Sequence, residues 1–194
     1  MKNYINAEIR AKEDSSENRT VQFIISTNDK DRHGTVLNMQ GWDLTNYNLN
    51  GIVSYNHYAY DGKDPDLILG SGRAFLEGEG DEAKLIGEVT FETHDVNPLA
   101  DKIFKKVMAG TLKATSVGFT PKPINGKIGE ERNGTFYYFS QELLEFSIVN
   151  IPSNPKAVRR SAEELEMFVR ETPKEEDNFE ARLSVFEKIL NLKK

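Results

Sequence analysis

Cysteine is absent from the 194 residues. That excludes thiol proteases, disulfide frameworks and cysteine-ligated zinc together, and a reducing compartment is the expected setting. Histidine is scarce: His33, His57 and His94 are the whole supply, so any imidazole chemistry must use one of these three. There is no apolar run of about 18 residues, the length that would suggest a membrane helix. The opening MKNYINAEIRAKED carries charges every few positions and lacks the apolar stretch of a secretory leader. Positive charge is not in excess either. Lys and Arg number 25 against 31 Asp and Glu, a net charge of −6, which disfavours binding nucleic acid through its phosphates. What the chain does have is 38% hydrophobic residues, with 11 Phe, 7 Tyr and 1 Trp. That is enough to build a core and excludes disorder throughout.

The patterning points to an α+β fold, a mainly antiparallel β core with one embedded helix and a helical C-terminus. Ile5, Ala7, Ile9 and Ala11 alternate with polar residues, and Thr20 to Thr27 is rich in β-branched and aromatic residues, both strand signals. Asn28 to Gly34 reads as a loop. Further strands are expected at Gly51 to His57, Asp66 to Gly78 and Lys84 to Glu92, with a hairpin turn at Gly78 to Glu82. Asn97 as cap, Pro98 at the first helical position and Gly110 as terminator frame a helix. Its stripe is Leu99, Ile103, Phe104 and Val107. Strands resume over Leu112 to Pro121, and one long, kinked strand is expected from Thr135 to Pro152. Six to eight strands in all favour a barrel or closed sheet. From Ser161 the composition turns helical, beginning with a Ser161/Glu164 capping box. Phe179, Leu183, Phe186, Ile189 and Leu190 then form one apolar face. The expected division is a β-barrel domain over 1–158 and a helical tail over 159–194, either a docked cap or a removable segment.

Three residues stand where chemistry is plausible, each with a plainer alternative. His57 closes a strand before a glycine-containing loop, a common site for a catalytic group; it also suits a surface histidine. Ser116, in ATSVGF, precedes Gly118, which would let a substrate backbone approach or leave an amide free for an oxyanion. Ala114 stands where a G-x-S-x-G elbow needs glycine, and a half-buried strand serine fits as well. Alternation sets Glu145, Ser147 and Val149 opposite Leu144, Phe146 and Ile148. A buried Glu145 needs a partner such as an imidazole, whereas an exposed one is merely a strand surface residue. No metal or cofactor is expected: there is no H-E-x-x-H and no phosphate loop.

Four blocks occur in a specific order: Asp31, Arg32, Gly34 and Val36 as D-R-x-G-x-V; Asn56-His57 followed by I-L-G-S-G-R; G-T-L-K-A-T-S-V-G-F from Gly110 to Phe119; and L-L-E-F-S-I-V-N-I-P-S-N-P-K-A from Leu143 to Ala157. In this the chain resembles the prohead maturation proteases of tailed bacteriophages, relatives of herpesvirus assemblin. The resemblance implies an assemblin-like barrel and a serine endopeptidase with histidine preceding serine in the chain. The catalytic histidine falls on His57 and the nucleophile on Ser116. The third member in the herpesvirus relatives is a later histidine; here no histidine follows Ser116, so Glu145 takes that place, with Ser147 in reserve. Amides near Val117 and Gly118, or by analogy Arg159 or Arg160, would hold the oxyanion.

The resemblance further implies that the substrate is capsid or scaffold protein inside the assembling prohead, in the bacterial host cytoplasm. Self-cleavage and self-association are expected, with no membrane or nucleic-acid partner. The alternative is a non-catalytic assembly or scaffold-like module on the same fold.

Overall fold

The computed structural model describes residues 19–60 and 62–161. The expected strand at Ile5 to Ala11 and the helical tail beyond Ser161 lie outside them. The chain divides into two units after Arg159; only Arg160 and Ser161 of the second fall among the described residues.

Ten strands form among the described residues, most of them from hydrophobic and β-branched segments, more than the six to eight expected. They are β1 (Thr20–Thr27), β2 (Thr35–Leu37), β3 (Trp42–Asp43), β4 (Ile52–Tyr55), β5 (Ile68–Glu77), β6 (Lys84–Phe91), β7 (Ala114–Pro121), β8 (Gly129–Arg132), β9 (Thr135–Tyr138) and β10 (Gln141–Val149). Two α-helices accompany them, α1 (Thr45–Leu49) and α2 (Pro98–Met108). The expected single strand over Thr135 to Pro152 is two strands in two sheets. β9 pairs with β2 and β8, while β10 joins the main sheet. The break comes at Phe139–Ser140, where the Ser140 hydroxyl donates to Gly41 O at 2.9 Å.

The main sheet runs β1-β6-β5-β4-β10. β10 carries β7 antiparallel along one edge, and β3 and then β4, both parallel, along the other. The expected closed barrel is not found. β1 and β7 share no ladder; the short segment Ala157–Arg159 makes single bonds to each. Ile24 N donates to Val158 O at 3.0 Å, and Thr115 N donates to Ala157 O at 3.0 Å.

The core is built from alternate residues of these strands. Phe23, Ile25, Leu69, Leu85, Phe146 and Ile148 are all essentially without exposure. Helix α2 covers part of it through Ile103, Phe104 and Val107, with the Phe104 ring 5.4 Å from that of Phe91. The helix starts and stops as its sequence demands. Asn97 accepts from Ala100 N at 2.9 Å, and Gly110, at φ +74°, ends it in the left-handed conformation glycine tolerates. The stripe is broader than expected: Asp101 is also buried, held by Arg19 at 3.0 Å and Lys105 at 2.6 Å. These cations hold its carboxyl below the usual range; the Lys105 contact is the largest cause.

Candidate active site

β10 is the scaffold of the site. Its register places Ser147 opposite both Ser116 of β7 and Ser54 of β4, and Glu145 opposite Gly118. Directly paired residues share a sheet face, so Ser54, Ser116, Gly118, Glu145 and Ser147 lie together. The expected alternation fails at one place. A bulge between Leu143 and Glu145 leaves Leu144 40% exposed, off the buried face of Phe146 and Ile148. The extra residue is set aside so that Glu145 regains register with β7.

His57 does not end β4 as an extended residue. Asn56 and His57 turn the chain with φ of +50° and +64°, a region costly for a side chain with a Cβ. Asn56 N donates to Ile148 O at 3.0 Å, and His57 N donates to the Ser147 hydroxyl at 3.1 Å. The turn thereby folds the imidazole back over β10, where Nδ1 lies 2.6 Å from Glu145 Oε1. The His57 side chain is 40% exposed and that of Glu145 only 1%. The imidazole meets the solvent; the carboxylate stands behind it. Opposite an ionised carboxylate, which only accepts, Nδ1 is the donor, and in the neutral imidazole Nε2 then keeps its lone pair.

Glu145 is also held on its other side. Ser147 donates to Oε2 at 2.6 Å, and the Ser54 hydroxyl lies 2.6 Å from that of Ser147. Gly118 makes room for the carboxylate: a Cβ there would overlap Glu145 Oε1 and come within 2.9 Å of the Tyr60 hydroxyl. The reason for this glycine is thus a buried carboxylate rather than an approaching substrate. The negative charge is felt nearby. Burial first, and Glu145 second, push the phenols of Tyr47 and Tyr60 above their usual range.

Ser116 and His57 face one cavity of about 320 Å³, without a direct hydrogen bond between them among the described residues. Val117, Phe119, Tyr138 and His33 also line it. Phe119 is fixed edge-on between Trp42 (6.1 Å) and Tyr138 (5.3 Å). The Asn28–Gly34 loop contributes Asp29, Asp31 and His33 to the lining. Asp31 Oδ1 accepts from His33 N at 2.9 Å and Thr35 N at 2.8 Å, Oδ2 accepts from the Thr35 hydroxyl, and Arg32 N donates to Ser153 O at 3.0 Å. The first sequence block thus shapes a loop and ties it to the fourth. His94 lies elsewhere, beside Asp101. Arg159 is not at the cavity: it donates to Val107 O at 3.0 Å, at the end of α2. Thr115 N points to the edge of β7 away from β10, towards Ala157. Two residues on, strand periodicity sends the Val117 N–H to that same edge.

Sequence reasoning missed Ser54 and Tyr60. Ser54 is one hydroxyl within an expected strand, and Tyr60 sits in an expected loop; nothing local marks either, because Ser54 matters through its pairing with β10 and Tyr60 through its closeness to Gly118 and Glu145.

Comparison with curated proteins and with solved structures gives no match. Comparison with protein families gives one that covers more than half of the chain, residues 54–171, and contains His57, Ser116 and Glu145. The chain belongs to that family, the caudovirus prohead serine proteases.

Proposed function

We propose that the chain is a serine endopeptidase that cuts capsid or scaffold protein, and itself, inside the prohead of a tailed phage. Ser116 is the nucleophile, His57 the general base and acid, and Glu145 the orienting carboxylate. The observation that carries this reading is the 2.6 Å contact of His57 Nδ1 with a fully buried Glu145, beside a cavity that Ser116 shares.

The chemistry follows from that geometry. Because Nδ1–H is committed to Glu145, Nε2 is the free base. Ser116 Oγ bonds to the scissile carbonyl carbon while its proton passes to Nε2. Glu145 stabilises the imidazolium that results. The carbonyl oxygen becomes an oxyanion, and the Val117 N–H, directed to the open edge of β7, is its donor. Collapse breaks the C–N bond, and the leaving amine takes the proton from Nε2. Water then repeats the sequence on the Ser116 ester and frees the acid. Catalytic serine–histidine contacts are often long until a Michaelis complex forms, so a Ser116 and a His57 that share the cavity without a hydrogen bond are consistent with this role.

The test is co-expression with the cognate capsid or scaffold protein, wild type against Ser116→Ala, read by intact-mass spectrometry. New fragments with wild type alone are expected. Fragments with both discard the nucleophile. Intact masses with both, despite assembly, replace the protease by a non-catalytic assembly module.

A further inference from the structure

The interior side of the Glu145 carboxylate is held by two serines with no exposure at all, Ser54 and Ser147. Their bonding has one consistent arrangement. The single hydroxyl hydrogen of Ser147 goes to Glu145 Oε2 at 2.6 Å, because a carboxylate offers no donor. Its two lone pairs then accept from His57 N–H at 3.1 Å and from the Ser54 hydroxyl at 2.6 Å. The 3.4 Å separation of Ser54 Oγ from Glu145 Oε2 is the weaker alternative for that hydrogen. Ser147 thus makes every hydrogen bond it can. The result is a closed circuit: imidazole Nδ1 to Oε1, across the carboxylate to Oε2, to Ser147 Oγ, and back to the backbone N–H of the same histidine. The histidine's ring and its left-handed backbone are both referenced to one carboxylate.

We infer that Ser147, backed by Ser54, is a positioning residue for His57: it fixes the plane of the Glu145 carboxylate and clamps the His57 turn, so that Nε2 is presented to the cavity. This rests on the protease reading above for its effect on turnover, but not for the circuit itself. The circuit predicts that rotating the carboxylate, rather than unfolding the site, is what Ser147→Ala does.

Two readouts test it. The first is the ¹H resonance of the His57 Nδ1 proton, which a short bond to a carboxylate moves far downfield. The second is the rate at which a fluorophosphonate labels Ser116, a step in which Ser116 Oγ bonds to phosphorus, fluoride leaves and His57 takes the proton. The wild type should show the downfield proton. Ser147→Ala should lose or shift it and label about 10- to 100-fold more slowly, the scale on which removing a ligand's supporting partner acts. Ser147→Thr, which keeps the hydroxyl, should recover most of both. An unshifted resonance with labelling within about threefold of wild type overturns the inference. If Ser147→Ala does not fold, Ser54→Ala decides: a shifted resonance supports the circuit and an unchanged one overturns it. A wild type that shows the downfield proton but is never labelled sinks the protease reading instead and leaves the resonance arm to judge the circuit.

Discussion

Glu145→Gln tests the site most sharply, because the substitution keeps shape and volume and changes only which atoms can donate. Ser147 O–H points at Oε2 from 2.6 Å and requires an acceptor there. In the amide only one terminal atom accepts, so the oxygen takes the Ser147 side and the –NH₂ group turns to His57 Nδ1. That nitrogen must then be the unprotonated one, which moves the imidazole proton to Nε2. A protonated Nε2 cannot take the hydrogen of Ser116. The enzyme would hold the wrong tautomer in an undisturbed frame. A loss of ~10³- to 10⁴-fold in turnover is expected, as for an analogous carboxylate-to-amide change in a serine protease triad. That is about 4–5.5 kcal/mol of transition-state stabilisation. The fold should survive, with a melting midpoint within about 5 °C of wild type, since every hydrogen bond keeps a partner. The assay is the Ser116 labelling rate alongside cleavage of co-expressed scaffold, with a thermal melt as control. Labelling within about threefold of wild type by a folded Glu145→Gln protein refutes the tautomer argument and removes Glu145 from the triad.

Two further outcomes follow from the structure. Gly118→Ala should cut labelling strongly at little cost to the rest of the fold, because the new methyl overlaps Glu145 Oε1 and must push it from His57; unchanged labelling would show that the carboxylate has room to spare. The Asp43–Lys122 pair should shape the acid limb of the stability curve. The Lys122 ammonium first, and the N–H and hydroxyl of Thr45 second, hold the Asp43 carboxyl at about 2 against an ordinary 3.8. A depressed carboxyl adds stability that is fully present above about pH 4 and is lost as pH falls through about 2, so in Asp43→Asn melts that part of the acid dependence should vanish. An acid limb identical to wild type refutes the pairing.

Local information in the sequence accounts for much of this molecule. Thr20 to Thr27 forms β1 as its residues predict, and α2 runs from Pro98 to Met108 between the cap and the stop its sequence supplies, because side-chain sterics and capping act within one turn. His57, Ser116 and Glu145 were identifiable as candidates from the ordered blocks. Pairing was not legible. The long strand expected after Thr135 splits because its two halves find partners in different sheets, β2 and β8 for one and β7, β3 and β4 for the other. The chain's composition does not change at that break. The expected barrel stays open for a similar reason: whether β1 forms a ladder with β7 depends on what Ala157–Arg159 places between them.

The same division runs through the site. Residue types and their order, taken with the family resemblance, suffice to propose a base, a nucleophile and a carboxylate. That Glu145 is buried, that Gly118 exists to admit it, and that Ser54 and Ser147 brace it were decided only in three dimensions. Each of these follows from the register of β4, β10 and β7, strands that lie up to some ninety residues apart in the chain. A one-residue slip in that register would turn every one of these side chains to the opposite face.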